Sequence, residues 1–335
     1  AYVAAAAITA FAATYAIVPA WIRAAVERGL VGRDMNKYGH PPVAEAGGVW
    51  AVVGTAFGLL VLVAFERYLG GVLEGATEVY ALASLLLLSA LLGFIDDILG
   101  WKRGLPRWQR VVFMAPISLP LVVVKAGVSR MELPLVGVVD LGLAYPLVAV
   151  PVGVLGAANA FNMVAGYNGL EAGMGLLLML FTAAYAHLKG LALVEAAALV
   201  MAAALLAFLL YNWYPAKVFP GNSLTYGVGA YYAGLVVLGN MEKFGLTLFS
   251  LYFVELALFL RGLRHGVYKE NFGLPKPDGS LDPPYDRIYS ITHAALKLAA
   301  KVRGRAREKD VVLAMLGAQA AVGAAALALA ALGAL

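Results

Sequence analysis

The chain has 335 residues, 62% hydrophobic and only 13% charged, with a mean hydropathy of +0.82, against about 45–50% apolar and about 25% charged in soluble domains; this composition excludes a water-soluble globular fold and implies a polytopic membrane protein. Cysteine is absent, which excludes disulfides, thiolate catalysis and cysteine-ligated metal. The net charge of +5 is small for this length, so its distribution matters more than its size, and no nucleic-acid partner is expected.

A helix needs about 20 mostly apolar residues to span a bilayer. Ten stretches qualify: 2–22, 47–65, 79–95, 109–127, 143–161, 171–187, 191–211, 222–240, 245–263 and 311–334. The first lacks a basic flank and runs into a polar loop, so it is expected to be a retained helix rather than a signal peptide. The expected fold is an all-α polytopic membrane protein, a single domain over 1–335 with about ten transmembrane helices. Of the 25 Lys and Arg, 20 fall in loops after odd-numbered helices. The positive-inside rule therefore places those loops in the cytoplasm and both termini outside.

Five polar clusters lie on that same side: 34–48, Asp96-Asp97, 159–173, 221–223 and 264–286. Such one-sided clustering suggests one cytoplasmic site, built from several loops, that reads a water-soluble substrate at the membrane surface. On the opposite side only 128–142 has a pattern of its own, that of a small β-hairpin. Within a long cytoplasmic loop, 264–310, residues 288–309 are basic and alanine-rich. Ile291, Ala294, Ala295 and Leu298 share a helical face there, which suits an interfacial helix against anionic lipid headgroups or a plain basic linker.

The clusters carry recognisable chemistry. Adjacent carboxylates such as Asp96-Asp97 raise each other's proton affinity and favour a cation; they are either a solvated pair or part of a magnesium site, since magnesium takes one or two carboxylates plus substrate phosphates. The stretch Asn-Ala-Phe-Asn-Met-Val-Ala-Gly-Tyr-Asn-Gly-Leu-Glu-Ala-Gly at 159–173 offers amide oxygens and glycines that let backbone approach a ligand. Asn222, after Phe219-Pro-Gly, opens a helix as a cap or as part of an anion site. Asn212 is expected to bond a neighbouring loop. Glu45 stands before the second helix, where the helix dipole favours a carboxylate. Glu255 is the one carboxylate well inside a helix, a functional group by default or the partner of a nearby Lys or Arg. His187 and His293 read as structural.

In order and spacing these motifs resemble the polyprenyl-phosphate N-acetylhexosamine-1-phosphate transferase superfamily, and within it the archaeal and eukaryotic UDP-GlcNAc–dolichyl-phosphate GlcNAc-1-phosphotransferase branch. Asp34-Met-Asn-Lys37 with Pro42 and Glu45 resembles the first-loop motif, and Phe94-Ile-Asp96-Asp97 the Asp-Asp motif. The 159–173 stretch is similar almost word for word to the branch signature, and Tyr211-Asn-Trp-Tyr-Pro215 with Val218-Phe-Pro-Gly-Asn222 resembles the next motif. The resemblance covers nearly the whole chain. It implies transfer of GlcNAc-1-phosphate from UDP-GlcNAc to a dolichyl or polyprenyl phosphate, the first lipid-linked step of N-glycosylation, with Mg²⁺ or Mn²⁺ as cofactor.

By motif match the resemblance puts Asn162 and Asn222 on the metal, and Glu45, Gly166, Asn168 and Phe219 on the nucleotide. Asp96, Asp97, Lys37 and Arg110 fall at the reacting phosphates, and Arg264 and His265 are the nearest echo of the loop residues that hold sugar and pyrophosphate. Many members form homodimers, though no feature here signals one. One departure stands out: the family's second metal ligand is an aspartate, and here it is Asn222. Either Asp96 or Asp97 compensates, or metal binds weakly, or the chain is an attenuated member that acts as a binding or scaffold protein. A transporter would instead carry repeats and charge at mid-membrane.

Overall fold

The apolar runs fold as helices close to their expected bounds. In the computed structural model, which describes residues 1–70, 75–99, 113, 115–134 and 136–335, α1 (Tyr2–Glu27) leads into an antiparallel ribbon of β1 (Val31–Arg33) and β2 (Pro42–Ala44), followed by α2 (Val49–Leu69) and α3 (Ala76–Leu99). A five-residue helix, α4 (Leu119–Val123), precedes a second ribbon, β3 (Arg130–Leu133) against β4 (Gly137–Asp140). A π-turn at Tyr145–Ala149 continues into α5 (Val150–Met163), and α6 (Leu170–Lys189), α7 (Ala192–Asn212) and α8 (Gly221–Leu238) follow. Next come α9 (Glu242–Leu248) and α10 (Ser250–Arg264), a two-residue ribbon of β5 (Leu274–Pro275) and β6 (Leu281–Asp282), α11 (Ile291–Arg303) and α12 (Glu308–Ala331).

Seven helices among the described residues are long and apolar enough to cross a membrane, or eight if α9 and α10, bent by 58°, form one span. The expected ten is not reached. Of the 109–127 stretch, 109–112 and 114 lie outside the described residues, and the rest forms a 3-10 turn at Ala115–Ser118 and the short α4, not a membrane-length helix. The 222–240 stretch does form α8, but its Ser, Thr, Tyr and Gly make it too polar to qualify, and neighbouring helices sheathe it. The β-hairpin at 128–142 is present, with Arg130 opposite Asp140. Lys243 Nζ to Glu132 Oε1 (2.6 Å) and Tyr145 hydroxyl to Glu242 Oε1 (2.7 Å) pin this end of the molecule to α9.

α8 is the axis of the bundle. Every residue from Ser223 to Leu235 is buried, with α3 packed along one side, α5 along another, and α2 and α7 completing the sheath. Without a hydrophobic drive between helices in lipid, close packing needs small residues at the crossings. Gly93 provides one: a Cβ there would lie 2.3 Å from the Asn222 carbonyl oxygen. This crossing brings the end of α3 against the start of α8. The helix α3 also runs past the expected end of its span, so Asp96 and Asp97 stand on its last turns rather than in a loop.

α11 forms where the basic stretch was read, but its buried face is turned from the expected one. Thr292, His293, Ala295 and Leu296 are buried, while Leu298 and Val302 are exposed. Burial by α12 decides this, because α12 packs along α11 and also along α6.

Candidate functional site

Two carboxylates from α3 meet the N-terminus of α8. A helix start leaves backbone N–H groups without partners. Asp97 supplies the acceptors: Asn222 N–H donates to Oδ1 (2.6 Å) and Ser223 N–H to Oδ2 (3.1 Å). The cap of α8 is thus Asp97, from another helix, and not Asn222 itself. Asn222 turns its side chain inward, with Nδ2 donating to Asp96 Oδ2 (2.7 Å). Its Oδ1 accepts from Asn162 Nδ2 (2.7 Å), which also donates to Thr225 Oγ1 (2.7 Å). Four of the residues expected at the phosphates or metal, Asp96, Asp97, Asn162 and Asn222, therefore form one bonded chain across α3, α8 and α5.

No group of three His, Cys, Asp or Glu able to hold a metal occurs among the described residues. The chain offers two carboxylates and two amides, all hard oxygen donors of the kind magnesium accepts. Amide oxygen and nitrogen exchange places by a half-turn of the side chain, so the donor set fits a hard divalent cation.

Lys37 is the centre of a second cluster. Its ammonium pairs with Asp34 and donates to Asn168 Oδ1 (2.6 Å) and Glu308 Oε2 (3.0 Å). Asn168 returns the contacts: its N–H donates to Glu308 Oε1 (2.7 Å), its Nδ2 to Asp34 Oδ2 (3.2 Å), and its Oδ1 also accepts from Ala216 N–H (2.9 Å). Lys37 and Lys309 each lie 4.7 Å from the centre of the Tyr214 ring. One asparagine thus ties together the first loop, the signature turn, the turn before α8 and the start of α12.

Gly166 belongs to the same turn. Its φ of +136° is a conformation that side chains rarely adopt, and a Cβ would meet the Phe272 ring at 2.9 Å. Its N–H donates to Glu171 Oε1 (2.9 Å), and its carbonyl accepts from Asn36 Nδ2 (2.7 Å). Phe219 is stitched to the segment before α2 by Phe219 N–H to Ala44 O (2.8 Å) and Gly47 N–H to Phe219 O (2.9 Å). Its ring and the Glu45 carboxylate close over Gly32. Asn212 bonds the neighbouring loop as expected, with Nδ2 donating to Val218 O (2.9 Å).

Burial, and then the neighbouring Asp97 carboxylate, push the Glu45 carboxyl from its usual 4.5 up to about 8. The folded state then holds this proton more tightly than the unfolded chain, so the group costs stability as pH rises from about 4.5 to about 8. Glu45→Gln is accordingly expected to melt about 2–4 °C above wild type at pH 9, and close to it at pH 4, where the carboxyl is mostly protonated in both states. Thermal melting at the two pH values checks this; the same offset at both would show that Glu45 does not titrate in this way.

Two expected site residues stand apart, and a third, Arg110, lies outside the described residues. Arg264 is exposed in the last turn of α10, and His265 Nδ1 meets the Tyr289 hydroxyl (3.2 Å) and Arg287 (3.4 Å) instead of the acidic cluster. Other residues of that loop reach the signature turn: Lys269 and Asn271 bond the carbonyls after α5, and Gly273 N–H donates to Asn36 Oδ1 (2.9 Å). His293 is structural as read, with Nε2 against Glu270 O (2.8 Å). Glu308 went unread, since nothing but its place in a helix first turn marks it.

Known proteins resemble this chain over most of its length. The family described as Glycosyl transferase family 4 matches residues 79–240. A Saccharolobus solfataricus protein, provisionally named a UDP-N-acetylglucosamine–dolichyl-phosphate N-acetylglucosaminephosphotransferase, is 34% identical over 91% of this chain and 89% of its own. The Schizosaccharomyces pombe protein of that name is 29% identical over 70% of this chain and 61% of its own. A phospho-N-acetylmuramoyl-pentapeptide-transferase from Carboxydothermus hydrogenoformans is 33% identical over 50% of this chain and 57% of its own. The resemblance read from the motifs is borne out, and the chain belongs to glycosyl transferase family 4.

Proposed function

We propose that this chain transfers GlcNAc-1-phosphate from UDP-GlcNAc to a dolichyl or polyprenyl phosphate, giving lipid-pyrophosphate-GlcNAc and UMP. The observation that carries this reading is the bonded network in which Asp97 caps the α8 N-terminus and Asn222 there bonds both Asp96 and Asn162, set at the ends of membrane-length helices. The names of relatives that match over most of the chain supply the sugar and the acceptor.

The reaction joins two anions. A phosphate monoester has a second pKa of about 6, so the lipid phosphate is mostly a dianion at neutral pH and needs no base. Its oxygen attacks the β-phosphorus of the nucleotide, the bond from that phosphorus to the bridging oxygen breaks, and UMP leaves with the bridging oxygen. Asp97 has both oxygens engaged by backbone N–H groups, so its role is to fix α8 rather than to take a proton. Asp96, Asn162 and Asn222 would hold a magnesium or manganese ion. The chemistry that a bound ion would supply is positive charge against the phosphate oxygens. Lys37, set by three oxygen partners, adds positive charge on the phosphate side, a role that the motif match also gives to Arg110. Glu45, Gly166, Asn168 and Phe219 line the nucleotide side.

The site faces the cytoplasm and both termini lie outside, on the strength of the Lys and Arg asymmetry. α11 rests on anionic headgroups, with Leu298 and Val302 outward beside Lys301 and Arg303. Purified protein given UDP-GlcNAc labelled in the sugar should move label into the organic phase only when polyprenyl phosphate and a divalent cation are both present. Transfer that ignores the lipid phosphate would contradict the proposal.

A further inference from the structure

The most deeply buried ion pair among the described residues lies beside the reaction centre, not in it. Glu255, on α10, is 0% exposed and Lys269 is 8% exposed. Glu255 Oε1 pairs with Lys269, while Oε2 accepts from Ser290 Oγ (3.0 Å) and Ile291 N–H (2.8 Å) at the start of α11. The other donors of the Lys269 ammonium go to Met163 O (3.1 Å) and Asn271 Oδ1. Asn271 Nδ2 then donates to Met163 O (2.9 Å) and Ala165 O (2.6 Å).

Those two carbonyls sit where α5 ends, and helix ends leave carbonyls that need donors. Met163 directly follows Asn162, and Ala165 directly precedes Gly166. A cation at a helix C-terminus is also favoured by the helix dipole. Burial nonetheless holds the Lys269 ammonium below its usual range, with Glu255 opposing that shift. An apolar pair of similar volume is often as stable as a buried ion pair, or more so. Stability alone therefore gives little reason for charge here, whereas placing two particular carbonyls does.

On the transferase reading above, we propose that Glu255, Lys269 and Asn271 are positioning residues: the buried clasp locks the turn from Asn162 to Gly166 onto the 264–290 loop and so sets both the metal side and the nucleotide side of the site. A shift at Met163 breaks bonds from both Lys269 and Asn271, and a shift at Ala165 breaks the bond from Asn271. A misplacement of about 1 Å costs about 100-fold in rate.

Lys269→Met and Glu255→Gln each leave one buried charge without its partner, so either variant loses stability whatever its role. The decisive protein is the double variant Glu255→Leu, Lys269→Met. Its melting temperature is expected to rise above that of either single variant, held short of wild type by the Ser290 Oγ and Ile291 N–H donors that lose their acceptor, while kcat stays about 30–100-fold down and KM for UDP-GlcNAc rises by a smaller factor. Amide exchange across 162–169 is expected to quicken in the same variant. Recovery of kcat together with melting temperature, at unchanged exchange, would make the pair merely structural and overturn the proposal. A silent wild type would count against the transferase reading, and exchange in the double variant would then decide by itself whether the clasp holds the turn.

Discussion

Lys37→Met is expected to destabilise the protein by about 3–5 kcal/mol, the cost of removing one partner of a buried charge cluster. Asp34 is 2% exposed and Glu308 3% exposed, and the Lys37 ammonium bonds both. Its loss leaves two buried carboxylates with no cation, held only by Asn168 and, for Asp34, the Asn36 N–H. Thermal melting in detergent should show a fall of about 5–10 °C. Adding Glu308→Gln to Lys37→Met removes one of the stranded charges and should restore part of the loss. A melting temperature within about 1 °C of wild type for Lys37→Met would show that the cluster does not hold the first loop to the start of α12. The single variant should also lose transfer activity, because Asn168 and the signature turn hang from the same lysine.

Asn222→Asp is expected to act on the metal. The wild-type amide donates to Asp96 Oδ2 at 2.7 Å, so a carboxylate there would put two anions in contact. Without a divalent cation the variant should melt below wild type, and added magnesium should reverse the order. The magnesium concentration for half-maximal transfer should fall by about tenfold or more, since an extra unit charge beside a divalent ion is worth more than the 1.4 kcal/mol of one decade. An unchanged magnesium demand would place the metal elsewhere. Activity in the variant with silence in wild type would make this chain an attenuated member of its family.

Much of this architecture was legible from the order of residues, because membrane spans are encoded by length and apolarity. The bounds of α2, α6 and α7 fall within a few residues of those expected, and the hairpin at 128–142 formed as read. The motifs also named the residues that meet around Asn222 and Asn168. The count of ten spans is not confirmed among the described residues, and α8 shows one place where apolarity stops being the criterion: it is buried by protein on all sides and tolerates Ser, Thr and Tyr.

Long-range pairing stayed hidden for a different reason. Glu308 lies 271 positions from Lys37, and no local pattern signals that contact. Glu255 was flagged as intramembrane charge with an unnamed cationic partner; the structure identifies it as Lys269. In the same loop Arg264 and His265 look chemically apt, but backbone direction at the end of α10 turns them outward, while Lys269 and Asn271 point to the carbonyls after α5. The burial of His293 and Leu296 is decided by a neighbouring helix, which local periodicity does not register.

The central claim is that the acidic and amide cluster at the start of α8 serves transfer of a sugar phosphate, not of the sugar alone. The most direct test identifies the nucleotide released when purified protein turns over UDP-GlcNAc with polyprenyl phosphate. UMP, formed in step with lipid-linked product, is the predicted result. UDP in its place would mean that the β-phosphate stays with the nucleotide, and would contradict the account.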